Sequence, residues 1–379
     1  MEDSKAKYYC YLCGSEINDS NRTDEHIILN AVGGHLHSRT IICKKCNSEL
    51  GEKSDSVLAE DLSYFTDMLQ VNRNRKSGHN QIMTDKDGHE IIVENAGKKL
   101  RLRKPYKQVT TDGDKTEIML SVRTKEELKG LLNGLVKERK LNQQQADEIV
   151  AKAQVTKHNS PLSKRLCVSQ EAFPSIIKSA VNFYMDKTHD YDTIKHLVPI
   201  IKGIEDTKGA IYLYILKTLP YTVGTNQVIH MIHIEGSKDT ELLYAYMEYF
   251  SVYPYVVVLN DNYQKDEPIN ITYAFDTIES KEIQCDFSMP LSLSDLLDFH
   301  NMPHEEYCKE YLPCIENRAN RIMAIWQEKQ DKEELHDAIN NAFAKFPDGC
   351  VLDESMVKSI SDDMVSFFLK LIQRGKWKK

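Results

Sequence analysis

Apolar residues recur at helical spacing in several segments of the chain. Between residues 54 and 70 they follow a 3.6-residue period, which predicts a helix with one buried face. The apolar positions of this segment are Val57, Leu58, Leu62, Phe65 and Leu69. Helices are also predicted over the very polar segment 124–153, over 169–187, and through most of the chain after residue 291.

Runs rich in β-branched and aromatic residues predict strands in two parts of the chain. An Asp-Gly turn at 87–88 introduces short runs up to residue 121, and the longer runs IYLYIL, VIHMIHIE, PYVVVLN and ITYAFDT follow residue 210. The longer runs predict a mixed or antiparallel sheet. His230 and His233 lie in one of them at odd spacing, so we expect them to face opposite sides and to make a poor metal pair.

These patterns together predict an α+β protein with three regions. We expect a small N-terminal module at 1–70, strands with a basic stretch and a helical linker at 71–160, and a larger mixed α/β domain at 161–379 that ends in helices. The pattern assigns no role to the third region.

The composition excludes a disordered, collagen-like or membrane-spanning chain. Hydrophobic residues make up 41% and charged residues 28%, and no run of 18 apolar residues occurs. The polar N-terminus lacks the apolar segment of a secretory signal, so we expect a cytoplasmic protein without a membrane partner. The net charge is −8, but residues 1–110 carry a net +1, so this part can approach a polyanion most easily.

Four of the nine cysteines form two CxxC pairs near the N-terminus. Cys10 and Cys13 are separated from Cys43 and Cys46 by 29 residues. Four thiolates presented by two tight turns suit a closed, tetrahedral, structural Zn²⁺ site. The alternative is a redox-active CxxC or free thiols, but a redox motif needs only one pair. The five scattered cysteines are expected to be small buried apolar residues.

The insert between the two pairs carries a distinctive set of residues. Glu25 and His26 precede an apolar run, Gly33 and Gly34 follow it, and a second strand-like run leads to the second pair, after which Asn47 comes directly. The histidines of the loop, His35 and His37, are expected to be solvated, with phosphate contact as the alternative.

Over residues 8–60 this pattern resembles the HNH endonuclease family. The match is to the variant that reads EH, GG, CxxCN and then Gly and Asp, positions filled here by Gly51 and Asp55. Many members carry an Asn where this chain has Ser38. The resemblance implies a zinc-stabilised ββα-metal module, followed here by the larger mixed α/β region.

Phosphodiester hydrolysis requires an activated water and stabilisation of charge on the phosphate and the leaving oxygen. A neutral imidazole suits the first task, which assigns His26 as the general base. Carboxylate and amide oxygens hold a hard divalent cation, so Glu25 and Asn47 are predicted ligands of Mg²⁺ or Mn²⁺. The alternative is that His26 is a core or second-shell histidine.

A basic stretch lies between residues 98 and 107, with no acidic residue within it. As a strand it would place Lys99, Arg101 and Arg103 on one face, where they can neutralise phosphates of DNA. Further cations lie nearby at Arg73, Arg75 and Lys76, and others end the chain at Arg374, Lys376, Lys378 and Lys379, where we expect a solvated tail. The alternative is an edge strand protected by charge.

The sequence therefore predicts a metal-dependent endonuclease that acts on DNA and contains structural zinc. From the family, a role in defence against foreign DNA or in a mobile element follows. The alternative is a non-catalytic zinc module that binds nucleic acid or protein. In either case the C-terminal region is a candidate sensor, partner-docking domain or homo-oligomer contact.

Overall fold

A computed structural model describes most of the chain. The described residues are 7–74, 80–112, 115–154, 160–219, 221–347 and 349–373. The predictions for Arg75, Lys76 and the terminal cations lie outside these residues. The chain divides into two compact units, one formed by 1–214 with 218–302 and the other by 215–217 with 303–379.

The first unit begins with small hairpins and short helices. They are β1 (Tyr8–Tyr9), β2 (Glu16–Ile17), β3 (Glu25–His26), β4 (His37–Ser38), α1 (Lys44–Gly51), α2 (Ser54–Asp61) and α3 (Ser63–Met68). β1 pairs with β2 and β3 with β4, both antiparallel. The helix predicted over 54–70 is confirmed as α2 and α3, and its apolar positions Leu58, Leu62, Phe65 and Leu69 are buried.

A second group of elements forms a small sheet, a hairpin and a helical pair. They are β5 (Gln81–Asp85), β6 (Glu90–Glu94), β7 (Lys99–Leu102), β8 (Tyr106–Asp112), β9 (Lys115–Ser121), α4 (Lys125–Lys137), α5 (Gln143–Lys152) and β10 (Leu162–Ser163). The sheet order β10-β5-β6-β7 makes β7 an edge strand. The helices predicted over 124–153 are present as α4 and α5, which bury Leu128, Leu132, Leu135 and Ala146.

The main sheet of the first unit has six antiparallel strands. The elements are α6 (Phe173–Thr188), α7 (Tyr191–Ile194), α8 (Val198–Ile201), β11 (Ile211–Leu213), β12 (Ile229–Ser237), β13 (Leu242–Tyr249), β14 (Tyr253–Asn260), β15 (Ile269–Asp276), β16 (Lys281–Ile283) and α9 (Leu293–His300). The strand order is β11-β14-β13-β12-β15-β16. β13 was not predicted, because its sequence contains no β-branched residue and includes Leu, Ala, Met and Glu, which favour helices.

His230 on β12 joins the main sheet to the N-terminal module. Its Nε2 donates to the carbonyl of Val32 at 2.9 Å, and its Nδ1 accepts the N–H of Phe250 at 3.3 Å. Burial lowers the pKa of His230 to about 4, so the ring is neutral. His233 lies on the other face, 2.8 Å from the hydroxyl of Thr272, so the prediction of opposite faces is confirmed.

The second unit is helical. It contains α10 (His304–Glu310), α11 (Leu312–Phe343) and α12 (Glu354–Gln373). α11 packs against α12 and buries Ile322 and Ala342. Within this unit Arg318 donates to the carbonyl of Leu216 at 2.6 Å.

The prediction that the five scattered cysteines are buried is wrong. Cys167 is exposed, and Cys285, Cys308, Cys314 and Cys350 are only partly buried. Cys167, Cys285 and Cys350 lie in loops, whereas Cys308 and Cys314 lie on helices α10 and α11.

The fold class predicted from the sequence is confirmed: an α+β chain with a small N-terminal ββα module and a larger α/β region followed by helices. Within the described residues, no helix has the length and apolar character needed to cross a membrane.

Candidate functional site

The two CxxC pairs converge on one point. Cys10 and Cys13 lie in the turn after β1, which the N–H of Gly14 closes by donating to the carbonyl of Cys10 at 2.7 Å. Cys43 is the residue that precedes α1, and Cys46 lies in its first turn. The helix start therefore presents two thiols toward the turn that carries the other two.

The geometry of the four sulfurs fits a zinc ion. All four Sγ atoms lie within 4.8 Å of one another, and those of Cys13 and Cys43 are 3.7 Å apart. A tetrahedron with Zn–S bonds of about 2.3 Å has an edge of about 3.8 Å. Burial raises the pKa of Cys10 to about 11, so its thiolate requires a neighbouring cation. The cluster is therefore positioned as a structural zinc site.

The hairpin of β3 and β4 depends on two glycines. The N–H of Gly34 donates to the carbonyl of Leu29 at 3.0 Å, and a Cβ atom at Gly34 would lie 1.9 Å from the carbonyl oxygen of Ile28. Gly33 has a φ of +94°, a conformation that disfavours other residues. The turn therefore requires both glycines to return the chain to β4.

His26 lies on β3 opposite His37 on β4. The two rings are 5.9 Å apart between centroids, and His26 is half-buried. Burial lowers the pKa of His26, and the neighbouring His37 lowers it further. No hydrogen bond within the described part of the chain engages the His26 ring. A neutral imidazole with an uncommitted lone pair can accept a proton from water.

Glu25, the predicted metal ligand, is held by helix α6. It is 2% exposed, and its Oε1 accepts hydrogen bonds from Lys178 Nζ at 2.8 Å and from Asn182 Nδ2 at 2.9 Å. The structure records no hydrogen bond from any described residue to Oε2. One carboxylate oxygen is therefore fixed by α6, and the other is uncommitted.

A second carboxylate of the module meets the same helix. Asp55 in the first turn of α2 accepts from Ser175 Oγ at 2.5 Å and from Lys178 Nζ at 2.6 Å. Tyr11, next to the first zinc ligand, donates its hydroxyl to Asn182 Oδ1 at 2.7 Å. The buried network, as we call this set, consists of Tyr11, Glu25, Asp55, Ser175, Lys178 and Asn182.

The sequence analysis missed the contribution of α6 to this site. Up to Met185 the helix is apolar except for a polar stripe at Ser175, Lys178, Ser179 and Asn182, all at most 1% exposed. These positions follow i, i+3, i+4 and i+7, so they share one face. The lysine in this stripe is the one feature of the sequence that could have revealed the contact with the site, because a buried ammonium needs a carboxylate partner.

Asn47 lies beside the start of β3. It is half-buried, and its Nδ2 donates to Thr23 Oγ1 at 3.2 Å. This hydrogen bond directs the amide oxygen away from Thr23, and no described residue donates to it. Thr23 precedes Glu25 by two residues. Helix α1 therefore places the Asn47 amide at the start of β3, near Glu25.

Ser38 occupies the position where many members of the family carry Asn. It is buried and pairs with Glu25 across the β3–β4 ladder. Its Oγ lies 3.2 Å from Thr40 Oγ1 and accepts the N–H of Thr40 at 3.4 Å. The serine therefore supports the turn after β4 by a local side-chain bond.

The two loop histidines lie at the surface. His35 stacks on Phe275 of β15 with 4.6 Å between ring centroids. His37 lies 3.8 Å from Asp24, an exposed carboxylate that also pairs with Arg39. Both side chains are exposed, as expected, but His37 belongs to strand β4 and not to the loop.

Residues 99–102 of the basic stretch form the edge strand β7, and the cations of this strand and of Arg103, which follows it, pair with carboxylates of the neighbouring strand β6. Lys99 and Arg101 lie 3.0 Å and 2.7 Å from the two oxygens of Glu94. Arg103 lies 2.9 Å from Glu90. These are the β7 ion pairs; the structure does not bring them into contact with Glu25, His26 or Asn47. An edge strand protected by charge has this arrangement.

The comparison with known families gives one match. The model of the HNH endonuclease family matches residues 10–63, a span that begins at the first zinc ligand and ends within α3. Neither a curated protein nor a solved structure matches the chain significantly. The resemblance inferred from the EH, GG and CxxCN residues is thereby confirmed over residues 10–63, which match the model of the HNH endonuclease family.

Proposed function

We propose that this protein is a divalent-metal-dependent endonuclease that hydrolyses phosphodiester bonds in DNA. The observation that carries the proposal is His26. It is a half-buried imidazole with no hydrogen-bond partner among the described residues, in a segment that matches the HNH endonuclease family. A histidine that only completed a core would be expected to have its ring nitrogens satisfied.

In this proposal each residue has one task. His26 accepts the proton of the attacking water. Glu25 through Oε2 and Asn47 through its amide oxygen would hold Mg²⁺ or Mn²⁺, since both oxygens are uncommitted in the described structure. The bound ion supplies stabilisation of the charge on the phosphate and the leaving oxygen. The zinc cluster holds α1 and the β1–β2 turn together and takes no part in the chemistry.

DNA binding is proposed to include the cations of β7. Lys99, Arg101 and Arg103 have exposed side-chain fractions of 64%, 37% and 41%, so they can exchange their carboxylate partners for phosphates. Such an exchange contributes affinity without sequence specificity.

The test is plasmid cleavage by the full chain with Mg²⁺ or Mn²⁺ and with EDTA. We expect mild EDTA to abolish cleavage and added Mn²⁺ to restore it while zinc is retained. His26→Ala should lower the rate by about 10²–10⁴-fold. His37→Ala is the matched control, since it removes the ring opposite His26 and should change the rate far less.

Two results would contradict the proposal. Cleavage that persists in EDTA with zinc bound would indicate a different mechanism, and normal cleavage by His26→Ala would exclude His26 as the general base. Asn47→Ala should also lose activity, but high Mn²⁺ should restore part of it, because this change weakens metal binding and leaves the base in place.

One observation favours a second candidate, a non-catalytic zinc module that binds nucleic acid or protein. Glu25 is almost fully buried and ion-paired, as a purely structural carboxylate would be. This candidate predicts DNA or protein binding without cleavage under any metal condition. Loss of zinc or of folding in His26→Ala would also favour it.

A role in defence against foreign DNA is a further proposal, supported by the family resemblance alone. We expect expression of the wild-type chain to lower the plating efficiency of a DNA phage and His26→Ala to restore it. Equal plating with both chains would contradict this role.

A further inference from the structure

The buried network carries one more inference, and it rests on the proposed function. The HNH family match ends at residue 63, whereas the groups that hold Glu25 come from α6, more than 100 residues later. Both donors, Lys178 and Asn182, bind the same oxygen, Oε1. A carboxylate anchored through one oxygen has a fixed orientation and presents the other oxygen in a fixed direction.

The charges of the buried network do not balance. Two carboxylates, Glu25 and Asp55, share one ammonium, that of Lys178. With these three groups in their ordinary ionised forms, the formal charges of the network sum to −1, and a cation at Oε2 would compensate this charge.

We propose that Lys178 is a positioning residue of the nuclease site, which holds Oε1 of Glu25 so that Oε2 is directed at the divalent cation. Groups behind a metal ligand fix its orientation, and their loss typically costs 10–100-fold in metal affinity or activity. On this account the site is completed by a helix that lies outside the HNH module.

Removal of Lys178 distinguishes orientation from charge, because the two effects have opposite signs. Lys178→Met makes the network more negative, so charge alone predicts tighter Mn²⁺ binding. Lost orientation predicts weaker binding. The double variant Lys178→Met/Asp55→Asn keeps the formal net charge at −1 but lacks the Lys178 donor to Oε1, so that Asn182 alone holds this oxygen. Asp55→Asn alone keeps that donor and makes the network neutral.

The experiment is a titration of zinc-loaded full-length protein with Mn²⁺, in which free Mn²⁺ is measured by electron paramagnetic resonance without DNA. We expect Lys178→Met and the double variant to bind Mn²⁺ at least tenfold more weakly than wild type. We expect Asp55→Asn to remain within a few-fold of wild type. The Mn²⁺ concentration at half-maximal plasmid cleavage should shift in parallel, while the KM for DNA should stay unchanged.

Folding is controlled by zinc content and circular dichroism. Ser179→Ala is the matched control on the same helix face: it is fully buried and its hydroxyl bonds the carbonyl of Ser175, so it should leave Mn²⁺ affinity unchanged. If Lys178→Met does not fold, the double variant, which has the same formal charge as the wild type, provides the test.

The outcomes separate the two proposals. Equal or tighter Mn²⁺ binding by a folded Lys178→Met or double variant, beside a wild type that binds and cleaves, overturns the positioning role and leaves the nuclease intact. A wild type that binds no Mn²⁺ and cleaves no DNA overturns the proposed function, and the positioning role with it.

Discussion

The buried network and the β7 ion pairs contain the same kinds of groups in opposite environments. In the buried network Lys178 is 1% exposed and bridges carboxylates of two different elements of the module. In the β7 ion pairs, Arg103, which directly follows β7, and Glu90, the first residue of β6, are 41% and 42% exposed. Both sets are ion pairs at hydrogen-bonding distance.

The difference shows that burial, and not the number of ion pairs, determines how much an ion pair contributes to stability. An exposed pair is screened and contributes about 0–1 kcal/mol. Breaking a buried pair leaves a charge without a partner and costs about 3–5 kcal/mol. The buried network therefore couples α6 to the module, while the β7 ion pairs leave their cations available for exchange with another anion.

The largest effect is expected from Cys43→Ser. Structural zinc contributes on the order of 10 kcal/mol to the folding of small metal modules, so loss of one ligand should unfold the module and remove its side of the buried network. Hydrogen exchange should show lost protection in β3 and α1 and retained protection in β5, β6 and β7. Elemental analysis of the wild type should find about one zinc per chain. A folded wild type without zinc would contradict this prediction.

Next in size is the comparison of Lys178→Met with Arg103→Met. The first should lower the free energy of unfolding by about 3–5 kcal/mol, because two buried carboxylates lose their shared ammonium. The second should change it by less than about 1 kcal/mol. Urea unfolding measures both variants. Equal changes in the free energy of unfolding would mean that burial does not distinguish the buried network from the β7 ion pairs.

The third prediction concerns His230, which is as buried as the network but neutral. Its pKa is about 4 in the folded protein and about 6.5 when unfolded, so below pH 6.5 the unfolded chain binds a proton that the folded chain does not. Stability should therefore fall as the pH drops from about 6.5 to 4, by up to about 3 kcal/mol.

His230→Gln tests this pH dependence, since its amide can donate to Val32 and does not titrate. The variant should show a flatter loss of stability across the same pH range, measured by urea unfolding at several pH values. An unchanged profile would assign the acid sensitivity to other groups.

The smallest effect is expected at β7. Arg101→Ala should barely change stability, but it should weaken DNA binding and lower the slope of its salt dependence by about 0.9 for each phosphate that is no longer neutralised. Glu94→Gln is the opposite test, because it frees Lys99 and Arg101 from their partner and should strengthen binding. Unchanged salt dependence in both variants would leave β7 as an edge strand protected by charge.

Much of the fold was predictable because its signals are local. The apolar period of α2 and α3, the glycines of the β3–β4 turn and the two CxxC pairs each depend on neighbouring residues. β13 was not predicted because it contains no β-branched residue, so its local composition does not favour a strand.

The candidate site was only half predictable for a related reason. Glu25, His26 and Asn47 stand in a motif that can be read from one short segment. Lys178 and Asn182 complete the surroundings of Glu25 from a distant helix, and sequence spacing does not reveal that proximity. Likewise, the pairing of Arg101 with Glu94 depends on the register of β7 against β6, which hydrophobic patterning alone left open.

The separation of Asn182 from Glu25 by 157 residues has a consequence for the newly made chain. At about 5–20 residues per second, a ribosome delivers Asn182 roughly 8–30 s after Glu25. During that interval the zinc ligands and the EH dipeptide are already synthesised, but the carboxylate has no α6 to hold it. On the proposed function, we expect the nascent chain to cleave poorly until α6 emerges, so that the order of synthesis would delay activity until most of the first unit is present.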